Sequence, residues 1–155
     1  MENICDLCNK NPHSHSFTLL SDYAFNQING KLFYTKIADA ELYYDTEGIL
    51  RHYENYLNFI KPENWIWIID FDSIELKHTL QLNTTIELSK LITKYRVSKV
   101  IIINENIFFH YLFKIAKPFI KHIKIDIYSK YEHYKFIDFL KSIKINHKII
   151  QNLFI

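Results

Sequence analysis

Glycine is almost missing from this chain of 155 residues: there are 2, Gly30 and Gly48. P-loops and dinucleotide-binding turns need several glycines where the backbone closes on phosphate, so nucleotide cofactors are not expected. Proline is nearly as scarce, with 3 residues, against 48% hydrophobic and 16% aromatic residues. That balance excludes disorder, collagen-like structure and loop-dominated binding modules. Long apolar runs are lacking too. The longest, Trp65 to Ile69, has five residues, far short of the ~18–20 that span a membrane. The opening Met-Glu-Asn-Ile-Cys shows no basic region followed by an apolar stretch, so no signal peptide is expected. These absences predict a soluble domain acting in the cytoplasm.

Charge of one sign is also lacking overall, since the formal net charge is +2. Such a total gives no reason to expect a nucleic-acid partner. It conceals a division, however. Residues 1–98 carry 9 Lys/Arg and 13 Asp/Glu, whereas residues 99–155 carry 10 and 4. The basic half either faces phosphate headgroups of an anionic membrane surface or is a solvated lysine face.

What is present has a regular order. Residues 1–15 form a Cys/His-containing N-terminal segment, and residues 16–155 are expected to form a single α/β domain. Residues 16–23 and 32–37 read as short strands around Asn29-Gly30, a strong hairpin signal. A helical pattern through Ile49, Tyr53, Tyr56, Leu57 and Ile60 begins with Asp45 as cap and stops at Pro62. Trp65–Ile69 and Val100–Ile103 are continuously apolar, as expected of strands covered on both faces. A shorter strand is expected over 124–128. Helices are expected near 80–95, 107–119 and 131–143, and the tail 148–155 as an edge strand or docking segment. Strands alternating with helices predict a largely parallel β-sheet with βαβ crossovers and an N-terminal β-hairpin at one edge.

Two constellations carry metal or acid–base chemistry. Cys5, Cys8, His13 and His15 place a Cys-x2-Cys knuckle beside a His-x-His pair. Zinc takes such ligands tetrahedrally, here as a structural clasp at the terminus; reduced thiols with incidental histidines are the competing reading. His52, on the first helix, is within reach of that candidate. Asp70-Phe71-Asp72, directly after a buried strand, resembles the first motif of haloacid-dehalogenase-like phosphatases. There the first Asp is the nucleophile, the second the general acid/base, and both help hold Mg²⁺. The Ser/Thr such an enzyme needs after its second strand is replaced by Asn104-Glu105-Asn106, and Asp126 lacks an acidic neighbour. His78, His110, His122, His133 and His147 have no nucleophile in a recognisable context, so no catalytic residue is assigned and no enzyme is expected.

Residues 65–128 carry a family resemblance. They read Trp65-Ile-Trp-Ile-Ile-Asp70-Phe-Asp72, then Leu76-Lys77-His78, a helix ending in Lys94-Tyr95-Arg96, and Val100-Ile-Ile-Ile-Asn104. Phe108, Leu112-Phe113-Lys114-Ile115-Ala116-Lys117-Pro118-Phe119-Ile120 and Lys124-Ile125 follow. This resembles the central block of the CRAL-TRIO lipid-binding domain: a strand ending in Asp, a helix, a strand into an Asn turn, a helix ending in Lys-Pro-Phe, and a Lys-Ile strand. The sequence departs from it at Ser98 and Asn106, where proline is usual. A Cys/His segment and hairpin also stand where the family usually has a helical domain.

The resemblance implies a sheet roofing an apolar pocket for a phospholipid or other hydrophobic ligand, with a mobile helix as gate. Phe108, Phe109, Leu112 and Phe113, on a helix apolar nearly all round, are then candidate ligand contacts. Lys114, Lys117 and Lys121, which follow closely, are candidates for lipid phosphate or an anionic membrane surface. The alternative is a protein-interaction module on the same scaffold, either pocket-less or similar to STAS domains.

Overall fold

The most apolar stretches of the chain become inner strands of a five-stranded sheet with spatial order β1-β2-β3-β4-β5. The protein is described by a computed structural model covering Cys8, Lys10 and residues 14–154. Strand β1 (Thr18–Phe25) pairs antiparallel with β2 (Ile28–Lys36). From β2 onward, β3 (Trp65–Asp70), β4 (Lys99–Ile103) and β5 (Ile125–Tyr128) add in parallel, each beside its predecessor. Between and after them lie α1 (Thr46–Ile60), the single turn α2 (Leu76–Thr79), α3 (Leu82–Lys94), α4 (Ile107–Ala116), α5 (His133–Ser142) and α6 (His147–Asn152). The mixed α/β class, the largely parallel sheet and the N-terminal hairpin agree with expectation.

Strict chain order in the sheet decides where the helices go. Right-handed crossovers between successive neighbours all leave the same side of a sheet. Accordingly Phe33, Trp65, Trp67, Val100 and Ile102 pack against Tyr53 and Tyr56 of α1, Leu91 and Ile92 of α3, and Phe109 and Leu112 of α4. The alternate residues Leu32, Ile66, Ile68, Ile101 and Ile103 face the other way and are covered by Phe136 and Leu140 of α5 and Ile150 of α6. Side chains alternate along a strand, so only a strand buried on both faces reads as an unbroken apolar run.

Local chemistry sets the boundaries. The Gly48 amide donates to Asp45 Oδ1 at 3.1 Å at the start of α1. Lys61 ends that helix in the left-handed region, with φ 48°, just before Pro62. Asn106 Oδ1 accepts from the Phe109 amide at 3.0 Å and caps α4. Among the described residues, no helix is long and apolar enough to cross a membrane.

One expectation changes, and of the two readings of the tail the docking segment holds. The hairpin turns at Asn26-Gln27, both with positive φ, rather than at Asn29-Gly30. Two positive φ values are what a two-residue hairpin turn of the right twist requires. Gly30 lies inside β2 opposite Tyr23, and a Cβ there would collide with the Tyr23 ring. Its role is room for an aromatic side chain. The tail is the helix α6, started by Asn146 Oδ1 accepting from the Lys148 amide at 2.8 Å, and it docks on the face of the sheet.

Candidate functional site

Between the aromatic face of the sheet and helices α3 and α4 lies a cavity of about 140 Å³. Trp67, Ile69 and Ile102 supply its floor, Leu88 and Ile92 of α3 one side, and the inner face of α4 the roof. Its few polar wall groups are spoken for. Thr35 Oγ1 accepts from Trp67 Nε1 at 2.8 Å and pairs with Tyr53 OH at 3.2 Å. Ser89 and Thr85 hydroxyls donate to backbone carbonyls one turn back, at 2.7 and 3.4 Å. Burial raises the Tyr53 phenol well above its ordinary value, so the wall carries no charge there. An apolar cavity of roughly 150 Å³ stays dry and accepts benzene or xenon. A second cavity of about 90 Å³ shares Thr35, Tyr53, Leu88 and Leu112 with the first and reaches His15 and His78.

Helix α4 brings the apolar candidates together. Phe109, Leu112 and Phe113 line the cavity, while Phe108 is half-buried and packs against the surrounding core. Lys114, Lys117 and Lys121 are exposed and do not line it. Among the described residues these lysines make no ion pair, so their charge faces solvent just past the roof helix. The outward face of α4 is also apolar, with Ile107 and Tyr111 exposed. Contacts with α2 place exposed Leu76, and Leu80 just past its end, beside α4. The strand residues and the α3 stripe complete the site. Their signal was the inward register of β2 and β3 and the i, i+4 pair Leu88/Ile92, which sequence alone assigns equally well to an ordinary core.

Asp70 and Asp72 stand at the carboxyl ends of the strands but do not form a paired acid. Asp70 is 4% exposed, and both its oxygens are occupied. Oδ2 accepts from Tyr34 OH at 2.8 Å; Oδ1 accepts from Asn104 Nδ2 and the Asp72 amide, each at 2.9 Å. A nucleophile needs an oxygen open to substrate; here the carboxylate ties β2, β3 and the loop after β4 together.

The N-terminal candidate is drawn differently from the sequence expectation. Cys8 and His15 are joined by His52 of α1, with one ligand atom of each inside 4.8 Å of the others and all three buried. Cys5 and His13 lie outside the described residues. Cys8 Sγ is 3.5 Å from His15 Nδ1, and His15 Nε2 is 3.4 Å from Asp45 Oδ2. His52 Nε2 contacts the Phe17 carbonyl at 3.0 Å, and its Nδ1 is buried with no hydrogen-bond partner. Burial pushes the His52 imidazole down to about 4, which keeps it neutral at ordinary pH. Soft and borderline donors grouped in this way can hold a metal ion.

Comparison with known proteins gives one finding and one blank. No curated protein matches the chain. A family model of the CRAL/TRIO domain matches residues 27–148, from the hairpin turn to the start of α6, well over half of the sequence. With the cavity beneath α4, the buried βαβ core and this match in place, the chain belongs to the CRAL-TRIO family of lipid-binding domains.

Proposed function

We propose that the protein binds a lipophilic ligand of narrow cross-section, such as one acyl chain or a small aromatic lipophile, in the cavity beneath α4, without catalysing a reaction on it. The apolar cavity roofed by Phe109, Leu112 and Phe113 carries this reading. Ligand pockets for larger molecules run to ~300–1,000 Å³, so a whole phospholipid enters only if α4 swings away from the sheet. Asn106 at the start of α4 and the Lys117–Phe119 turn at its end are the points about which that helix would move. Loading takes place where the exposed apolar residues of α4 meet a membrane and Lys114, Lys117 and Lys121 meet its anionic headgroups. The protein is accordingly a cytoplasmic one that visits membranes.

The modest volume also favours a second reading, a scaffold that kept the fold and binds a protein partner instead. One experiment separates them. Protein incubated with vesicles containing phosphatidylcholine and phosphatidylserine is repurified, extracted and analysed by mass spectrometry. The ligand reading expects about one lipophile per chain, lost when Leu112→Trp fills the cavity. Absence of extracted lipophile, together with no displacement of a fluorescent fatty-acid probe, would leave the scaffold.

A further inference from the structure

We propose that Cys8, His15 and His52 form a zinc site that fastens Cys8 and the approach to β1 onto helix α1. Most buried polar atoms in a protein find a partner, and one that does not calls for an explanation. Among the described side chains, His52 Nδ1 is the buried nitrogen or oxygen left without one. Its other nitrogen is held by the Phe17 carbonyl, which fixes the proton on Nε2 and leaves the Nδ1 lone pair outward. His15 repeats the arrangement: Nε2 faces the Asp45 carboxylate while Nδ1 faces Cys8 Sγ. Histidines that bind metals are generally oriented by a carbonyl or carboxylate on the far nitrogen. Two such histidines grouped with one thiol would supply both the ligands of a metal and the groups that orient them.

The dimensions fit zinc. With Zn–S near 2.3 Å and Zn–N near 2.0–2.1 Å, tetrahedral geometry separates sulfur and nitrogen by about 3.6 Å. Cys8 Sγ and His15 Nδ1 are 3.5 Å apart. One ring nitrogen of His52 lies within 4.8 Å of both, so a side-chain shift of about 1 Å would bring it to the spacing zinc requires. Charge fits as well. A thiolate and the Asp45 carboxylate together neutralise a divalent cation bound by two neutral imidazoles, whereas a monovalent ion would leave a negative excess. Binding releases the thiol proton to solvent. Gly48 is part of the construction, because a Cβ at that position would meet His15 Nε2 at 2.9 Å and collide with the Asp45 carboxylate. Three protein ligands leave one tetrahedral position for water or a further donor.

The test is titration of metal-free full-length protein with Zn²⁺ in competition with a chromophoric chelator, paired with Co²⁺ substitution. About one equivalent should bind, and the Co²⁺ form should show a thiolate-to-cobalt charge-transfer band with intense tetrahedral d–d absorption. Zn²⁺ should raise Tm by about 5–10 °C at saturation. Cys8→Ser and His52→Ala should each weaken binding about 100-fold or more. Asp45→Asn preserves a good helix cap yet removes the carboxylate behind His15, so it should remain folded and lose about tenfold in affinity. Wild-type protein that binds no zinc, or whose cobalt form lacks the thiolate band, overturns the proposal. So does affinity unchanged in folded Cys8→Ser and Asp45→Asn.

Discussion

Two buried polar clusters flank the same sheet, and they differ in whether their hydrogen bonding closes. At the carboxyl ends of the strands, Asp70 accepts from Tyr34, Asn104 and the Asp72 amide, and Asn104 Oδ1 pairs with His133 Nε2 at 2.8 Å. Beside α1, His52 makes one bond and leaves Nδ1 with none. A closed network specifies one arrangement of the chain and asks nothing of solvent or ligand. An open one carries a desolvation cost that only a further atom relieves. Asp70, the carboxylate suggestive of catalysis in the sequence, is therefore part of a structural cluster, and His52 is the residue with a nitrogen left for a partner.

The strongest way to break this contrast is Asp70→Ala. The change strands the half-buried Tyr34 hydroxyl and Asn104 amide together with the N–H of exposed Asp72, and a fully buried donor without an acceptor costs about 1–3 kcal/mol. Relaxation and water entry will reduce that sum, so we expect a loss of about 2–4 kcal/mol in urea unfolding. A loss under about 1 kcal/mol would mean the network does not hold the strand ends. Next in size is Asn104→Ala. Asn104 has φ 56°, a left-handed conformation that asparagine tolerates better than alanine. Strain and the lost bond to Asp70 together should cost about 2 kcal/mol. Asn104→Gly should recover part of this by removing the strain, which the same denaturation experiment reads.

Why one cluster was legible in the sequence and the other only in part follows from how each is assembled. The strands β3 and β4, the cap at Asp45 and the stop at Pro62 are written in adjacent residues, so periodicity and turn chemistry find them. Asp70 was visible as a carboxylate at a strand end, but the partners that give it its role come from β2 and the loop after β4. The histidine group needs α1 laid across the sheet before His52 can meet His15, a placement that no local spacing encodes. Gly30 misled for a related reason. Its signal beside Asn29 is that of a turn, yet its lack of a side chain serves the Tyr23 ring on the opposite strand. The tail's helix starts at Asn146, but its isoleucines suit a strand as well as a helix until the sheet face they cover is known.

A smaller effect tests whether α2, which borders the second cavity, belongs with the closed cluster. The Glu75 amide donates to His78 Nδ1 at 2.9 Å, so the imidazole must be neutral there. Burial, the largest cause, lowers the His78 pKa from its ordinary 6.5. Because the folded value lies below the unfolded one, the unfolded chain takes up the proton first as pH falls. His78 therefore contributes stability that is present above about pH 6.5 and is lost on descending toward the folded value. His78→Gln keeps an acceptor three residues into the turn and cannot titrate. The difference in urea midpoint between pH 7.5 and 5.0 should be smaller in this variant than in the wild type. An identical difference would show that His78 is not held neutral.

The smallest effect sharpens the contrast from the open side. In metal-free protein, Cys8→Ala removes one sulfur from a cluster whose hydrogen bonding is already incomplete at His52. It adds no new buried charge but loses the weak contact of Sγ with His15 Nδ1 along with packing, so it should cost about 1 kcal/mol. With Zn²⁺ present the same substitution should cost several times more, because the wild type alone gains the binding free energy. Measured by urea unfolding with and without zinc, the four values form a cycle whose coupling isolates the metal from the packing. Equal costs in the two conditions would make Cys8 an ordinary core residue. They would also place the unpaired nitrogen of His52 among the costs this fold tolerates rather than among the sites it offers.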